Sequence, residues 1–191
     1  MRSKPKSKKK AQQKHLEYIK SKIRTVPHFP KKGIMFRDVT TLLMDYKALK
    51  KTAELLARKF KNKKIDTVAA IESRGFVFGA LLAWQLKKGL ALIRKPGKLP
   101  AETIFEEYEL EYGTNKIEIH KDAISKGDRV LLVDDLYATG GTMLAACRLI
   151  EKLGGKVVGC AFAIEQKLPE GKARKKLKKY NLFKLVEFDL E

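Results

Sequence analysis

Apolar residues recur at helical spacing over residues 48–60, run unbroken from Val68 to Ile71 in a strand pattern that opens at Thr67, return to helical spacing over 79–86 and form a short strand pattern over 91–93. A long loop over about 100–115 follows, and the alternation resumes with a strand over 130–133, a helix over 143–153 and a strand over 157–164. Strands alternating with helices predict an α/β chain, a mostly parallel central sheet flanked by helices. Val130 to Val133 is apolar throughout, as a strand covered on both faces must be. With 191 residues and 44% hydrophobic content, one compact domain over 15–191 can bury a substantial core, and a second domain does not fit.

The segment from Val130 to Thr142 concentrates the chemistry. Asp134 and Asp135 fall where the strand is expected to end, the edge at which such sheets bind ligands. Ala138, Thr139, Gly140, Gly141 and Thr142 then offer small side chains, hydroxyls and free N–H groups just before a helix, whose N-terminus favours an anion. No Lys follows the glycines and the spacing is not G-x-G-x-x-G, so neither a nucleoside triphosphate nor a dinucleotide is implied. Adjacent carboxylates would repel a phosphate unless something hydroxyl-rich or cationic lay between, and a ribose with its 2- and 3-hydroxyls, accompanied by Mg²⁺, fits that gap. The ligand implied is a phosphorylated ribose. The plainer alternative, in which the acids cap a helix and the glycines turn the chain, needs only one acid and a shorter loop.

This segment resembles the signature of the type I phosphoribosyltransferases, which bind 5-phosphoribosyl-1-pyrophosphate through a hydrophobic strand, two acids and a T-G-G-T-like loop. Four more segments, within about Phe29 to Val186, resemble the adenine-using members of that family. Gly33 to Val39 is similar to the base-binding stretch, which implies that Met35, Phe36 and Arg37 meet adenine, Phe36 by stacking and Arg37 by framing the pocket. Leu136 would cover the opposite purine face, with Tyr112 also at the base. Ala70 to Gly79 is similar to the pyrophosphate loop, with Glu72, Ser73, Arg74 and Gly75 at the diphosphate and Glu72 standing where Asp is usual. Leu92 to Pro100 is similar to the second pyrophosphate element, in which Lys95 and Lys98 serve their own site and Arg94 reaches a partner subunit; Pro96 replaces a further cation. Tyr108 to Gly113 resembles the catalytic loop and assigns proton handling to Glu111.

The resemblance implies a Rossmann-like fold with a small hood, built near residues 25–45 and the C-terminus, and a flexible catalytic loop. It implies displacement of pyrophosphate from ribose C1 by N9 of adenine to give AMP, Mg²⁺ carried by the substrate without a committed protein ligand, and a homodimer. Asp134 and Asp135 would join Glu111 as catalytic groups. Two other readings are a 6-oxopurine substrate and a regulator that senses 5-phosphoribosyl-1-pyrophosphate without catalysis, although no DNA-binding helix-turn-helix is found. Taken singly, Phe36 and Phe76 also read as core aromatics, Glu111 as part of an exposed strand, and Arg94, Lys95 and Lys98 as a solvated turn.

Charge adds the least expected feature, a formal net charge of +20. Residues 1–14 form a Lys-rich head expected to be disordered, and residues 171–179 hold a second basic cluster that periodicity allows as an exposed helix. These cations read as a solubilising surface, as steering for an anionic substrate, as a nuclear-targeting patch or as nonspecific polyanion contacts. No aromatic interleaving or known motif supports specific nucleic-acid binding. No apolar run approaches a membrane span, and the basic start lacks the apolar stretch of a secretory signal. Cys147 and Cys160 read as small core residues in a reducing compartment, the cytoplasm, and His15, His28 and His120 form no cluster.

Overall fold

The computed structural model describes residues 5–109 and 114–190. In chain order the elements are α1 (Pro5–Ser21), β1 (Arg24–Pro27), β2 (Met35–Asp38), α2 (Thr40–Met44), α3 (Tyr46–Phe60), β3 (Thr67–Ile71), α4 (Gly75–Leu86), β4 (Gly89–Ile93), β5 (Thr103–Glu109), β6 (Thr114–His120), β7 (Arg129–Tyr137), α5 (Gly141–Lys152), β8 (Lys156–Gln166), α6 (Lys172–Leu177) and β9 (Leu182–Phe188). Five strands form one parallel sheet in the order β4-β3-β7-β8-β9. Alternate residues of β7 point to opposite faces. Leu131 and Val133 join one apolar cluster with α1, α3 and α4, whereas Val130 and Leu132 join another with α5 and α6. The expected α/β sheet is therefore present, with apolar layers on both faces.

Close backbone approach holds the layers in place. A Cβ on Gly79 of α4 would lie 2.4 Å from the Ala70 side chain of β3, so the helix sits directly on the sheet only because that position is bare. Beside the sheet, β1 and β2 form an antiparallel pair and β5 and β6 a second one. Among the described residues no helix is long and apolar enough to cross a membrane.

Three expectations are corrected. The segment over 100–115 is mainly the β5–β6 hairpin rather than a loop, because cross-strand pairing satisfies its backbone and buried Glu106 ties it to Arg148 and Lys152 of α5. β7 does not end at the acids; its pairing with β8 continues to Tyr137 opposite Glu165. From Pro5 onward the basic head is the start of α1 rather than a disordered tail. Its Lys, Ala and Gln are good helix formers, Pro suits a first helical turn, and Ile19 and Ile23 anchor the far end of this segment in the core. Residues 1–4 lie outside the described residues.

Candidate active site

At the C-terminal edge of the sheet, β3 gives way to a tight turn that leads into α4, and β7 runs beside it. The Glu72–Ser73 peptide in that turn is cis. A Cβ on Gly75 would meet Asp134 Oδ1 at 2.9 Å, so the glycine is required for the turn to rest against the first acid. Arg74 Nε lies 2.9 Å from Asp135 Oδ2, and the same guanidinium sits 5.1 Å from the centre of the Phe36 ring. Phe36 itself packs edge-on to Phe29 at 5.1 Å. The aromatic, the cation and the two acids thus come together from β2, the β3–α4 turn and β7.

Glu72 links the two loops that the sequence singled out. Its carboxylate accepts from the Lys95 N–H at 3.0 Å and from Arg94 Nε at 3.1 Å, and Arg94 also donates to the Lys98 carbonyl at 2.9 Å. Burial works to raise the Glu72 pKa, but the Lys95 N–H and the Arg94 cation outweigh it and hold the acid below its usual range. Arg94 is thus engaged within its own chain, through Glu72 and the Lys98 carbonyl. The side chains of Lys95 and Lys98 are exposed, and Ser73 is exposed beside them.

Asp134 and Asp135 are strained electrostatically. Burial and the neighbouring Asp135 charge push the Asp134 pKa well up, and burial raises that of Asp135 against the pull of Arg74. Asp134 Oδ1 accepts the Asp135 N–H at 2.9 Å, while buried Asp135 Oδ2 faces Arg74 without a hydrogen bond of proper geometry. That orphaned acceptor is where a ribose hydroxyl or a substrate-borne cation would be received. Among the described residues no group of three or more His, Cys, Asp or Glu side chains is placed to hold a metal ion.

The small-residue loop runs from Ala138 to Gly140, where Gly140 adopts φ of +85°, and α5 starts at Gly141 with Thr142 in its first turn. Support comes from beneath. A Cβ on Gly140 would lie 2.8 Å from Leu177 and 3.2 Å from the Tyr137 ring. Arg174 of α6 donates to the Ala138 carbonyl at 2.7 Å, stacks 4.2 Å from the Tyr137 ring centre and pairs with the buried Glu165 carboxylate. The cluster over 171–179 is therefore not wholly solvated. Sequence reading missed Arg174, Glu165 and Tyr137; the available signal was Leu177, which marks an inward face that Arg174 shares at three residues' spacing.

Arg37 also departs from expectation. It is buried and donates to Gln166, Thr25 and the Asp189 carbonyl, with its guanidinium 4.5 Å from the Phe188 ring centre. This clasp joins β2 to β1, to the end of β8 and to the chain just past β9, and it engages three of the five guanidinium N–H groups. Met35 precedes Phe36 on β2, and Leu136 is half-buried against the cluster under α3 and α4. Glu111 and Tyr112 lie outside the described residues.

The model for the phosphoribosyl transferase domain matches residues 38–190. Adenine phosphoribosyltransferase of Nitrosomonas eutropha is 53% identical over 171 residues, covering 90% of this chain and 98% of the relative. Adenine phosphoribosyltransferase 3 of Arabidopsis thaliana is 55% identical over 170 residues, with 89% and 92% covered. This chain belongs to the adenine phosphoribosyltransferase family. Solved members share the architecture. The enzyme from Thermoanaerobacter pseudethanolicus superposes with a TM-score of 0.87 at 52% identity, covering 91% of this chain and 99% of that one. The Saccharomyces cerevisiae adenine phosphoribosyltransferase, solved with an imino-altritol bisphosphate and adenine, gives 0.80 at 35% identity, with 91% and 99% covered.

Proposed function

We propose that this chain transfers the 5-phosphoribosyl group of 5-phosphoribosyl-1-pyrophosphate to N9 of adenine, giving AMP and pyrophosphate. The position of Arg74 carries the reading: one guanidinium lies against both the Phe36 ring and the Asp135 carboxylate, so a base platform, a diphosphate cation and ribose acids share one mouth. As the C1–O bond to pyrophosphate breaks and the N9–C1 bond forms, the ribose turns oxocarbenium-like and the leaving group gains negative charge. Arg74, Lys95 and Lys98 receive that charge, and Glu72 holds their two loops in register. Asp134 and Asp135 bind the ribose hydroxyls and favour the developing positive charge. The 138–142 loop grips the 5-phosphate and spends that remote binding energy on orientation, with Arg174 fixing the loop from below. Glu111 takes the imidazole proton released as N9 attacks, and Tyr112 and Leu136 border the base. Bound with the substrate, Mg²⁺ would supply further neutralisation of the leaving group's charge.

A homodimer in the cytoplasm is part of this reading. It is supported by an apolar face on which Val77 and Trp84 of α4, seven residues apart, stand beside Leu90 and Leu92 of edge strand β4, all four exposed. Residues 15–191 act as one catalytic domain, with a hood built near residues 25–45, where β1, β2 and α2 lie, and from the C-terminus. Adenine, hypoxanthine, guanine and xanthine offered separately with 5-phosphoribosyl-1-pyrophosphate and Mg²⁺ test the proposal. AMP from adenine alone is expected. A 6-oxopurine nucleotide would overturn the base assignment, and tight ligand binding without product would overturn the enzyme assignment.

A further inference from the structure

The charge of this chain is segregated. Residues 1–64 hold 21 of the 42 Lys and Arg but only 4 of the 22 Asp and Glu, a formal +17 of the total +20. Nothing in the proposed chemistry needs that excess. The fold gathers much of it along a helix pair. Arg58 of α3 donates to Gln12 of α1, His15 lies close enough to Glu54 to lower its pKa, and Tyr18 donates to Asp45, so α1 runs antiparallel along α3. Exposed Lys10, Lys14, Lys47, Lys50, Arg58 and Lys59 line this pair, and Lys61, Lys63 and Lys64 continue it past the end of α3. Among the described residues, no salt bridge neutralises Lys14, Lys50 or Lys63, whereas Lys22 and Lys51 are paired with Asp45 and Glu54.

Substrate steering does not account for this placement. α3 leads back to the start of β3, so its C-terminal cations and the N-terminal half of α1 beside them sit towards the sheet edge opposite Arg74 and the acids. An interfacial membrane helix would need a free apolar face, but Leu16, Ile19 and Ile23 of the α1 segment are packed into the core. What remains outward is a row of cations from Lys47 to Lys59, about 18 Å along α3 at the helical rise, interrupted by Glu54, which is paired with Lys51. At one end stands Tyr46, 75% exposed, between Met44 at 86% and Lys50, next to a depression of about 420 Å³ lined by Ser21, Lys22, Arg24, Thr41, Met44 and Asp45, in which Lys22 and Arg24 are paired with Asp45 and Asp38. An exposed ring at the end of a cationic track is the arrangement that receives an unpaired base while cations follow the phosphates.

We propose that the α1–α3 face docks a single-stranded polynucleotide without base specificity, the lysines holding the backbone and Tyr46 stacking a base. The cations at the C-terminal end of α3 lie away from the catalytic mouth, whereas the Tyr46 end adjoins β1 and α2. The test uses the full chain and a fluorescent 20-nucleotide oligouridylate, with anisotropy read at several salt concentrations. Two variants carry equal charge changes: Lys14→Glu with Lys50→Glu and Lys63→Glu on the track, and Lys172→Glu with Lys175→Glu and Lys176→Glu on α6, across the sheet. The track variant should weaken binding at least tenfold and make the log–log salt slope shallower by about 0.7 for each phosphate that is no longer neutralised. The α6 variant should stay within about threefold of the parent. Tyr46→Ala should reduce the preference for the single strand over a duplex of the same length. Thermal unfolding of each variant confirms that it is folded. Equal losses from both triple variants would reduce the effect to net charge, absence of binding at 100 mM salt would end the proposal, and tighter binding to phosphatidylserine vesicles than to oligouridylate would reassign the face to a membrane.

Discussion

Arg74 concentrates more of the candidate site than any other described residue, because removing it strips the cation that lies against Phe36 and leaves Asp135 buried without a counter-charge. Arg74→Ala should lower kcat/KM by about 10²–10³, comparable to losing one preorganised charge-stabilising donor; a loss under about fivefold in steady-state kinetics would remove Arg74 from the mechanism. Asp134 offers the opposite balance. Its raised pKa means that the folded chain binds this proton more tightly than the unfolded chain, so Asp134 costs stability above its unfolded value and relieves that cost as pH falls. Asp134→Asn should therefore raise Tm at pH 8, by about 2–8 °C for a gain of one to two kcal/mol, while impairing turnover. Calorimetry and activity assays on one preparation check both halves. Of these residues, the acids were legible in the sequence from their position after the apolar run 130–133. The Arg74–Phe36 contact was not, since residues 36 and 74 meet only when β2 folds over the β3–α4 turn.

The 138–142 loop behaves as one unit with α6. Gly140 holds a positive φ and lies against Leu177, so Gly140→Ala would introduce both backbone strain and a 2.8 Å contact, and Tm should drop with a weakened response to 5-phosphoribosyl-1-pyrophosphate. Arg174→Ala should raise KM for that substrate more than it lowers kcat, because it frees the Ala138 carbonyl without touching the reacting atoms, and Arg174→Lys should restore part of the effect. An unchanged KM would reduce Arg174 to a packing role. The element pattern was largely readable: the 67–71 strand was placed as found, and α3, β4, α5 and β8 differ from expectation by only a few residues. Periodicity failed where pairing decides. An alternating stretch such as 103–109 becomes a strand only when 114–120 lies beside it, and basic 171–179 gains an inward face only when α6 meets Gly140.

Across the whole molecule, acid stability should follow the carboxylates of the hood and the α1–α3 junction. Hydrogen bonds from the Thr40 and Ala48 N–H groups, with Arg24 and Lys22 nearby, hold Asp38 and Asp45 at about 2. Their folded values lie below the unfolded ones, so their contribution is present above about pH 4 and is lost as pH falls towards 2. Urea unfolding across pH 2–6 should show that decline, and Asp38→Asn should flatten it. The amino-acid sequence alone determined the fold class, the strand with its acid pair and the small-residue loop, because burial on both faces and backbone freedom are properties of contiguous residues. Only the tertiary structure decided that Arg37 is a clasp, that Arg94 turns inward to Glu72, and that Arg174 braces a loop 36 positions away. A guanidinium looks the same in every sequence, and its role is set by which carboxylates, carbonyls and rings the fold places within its reach.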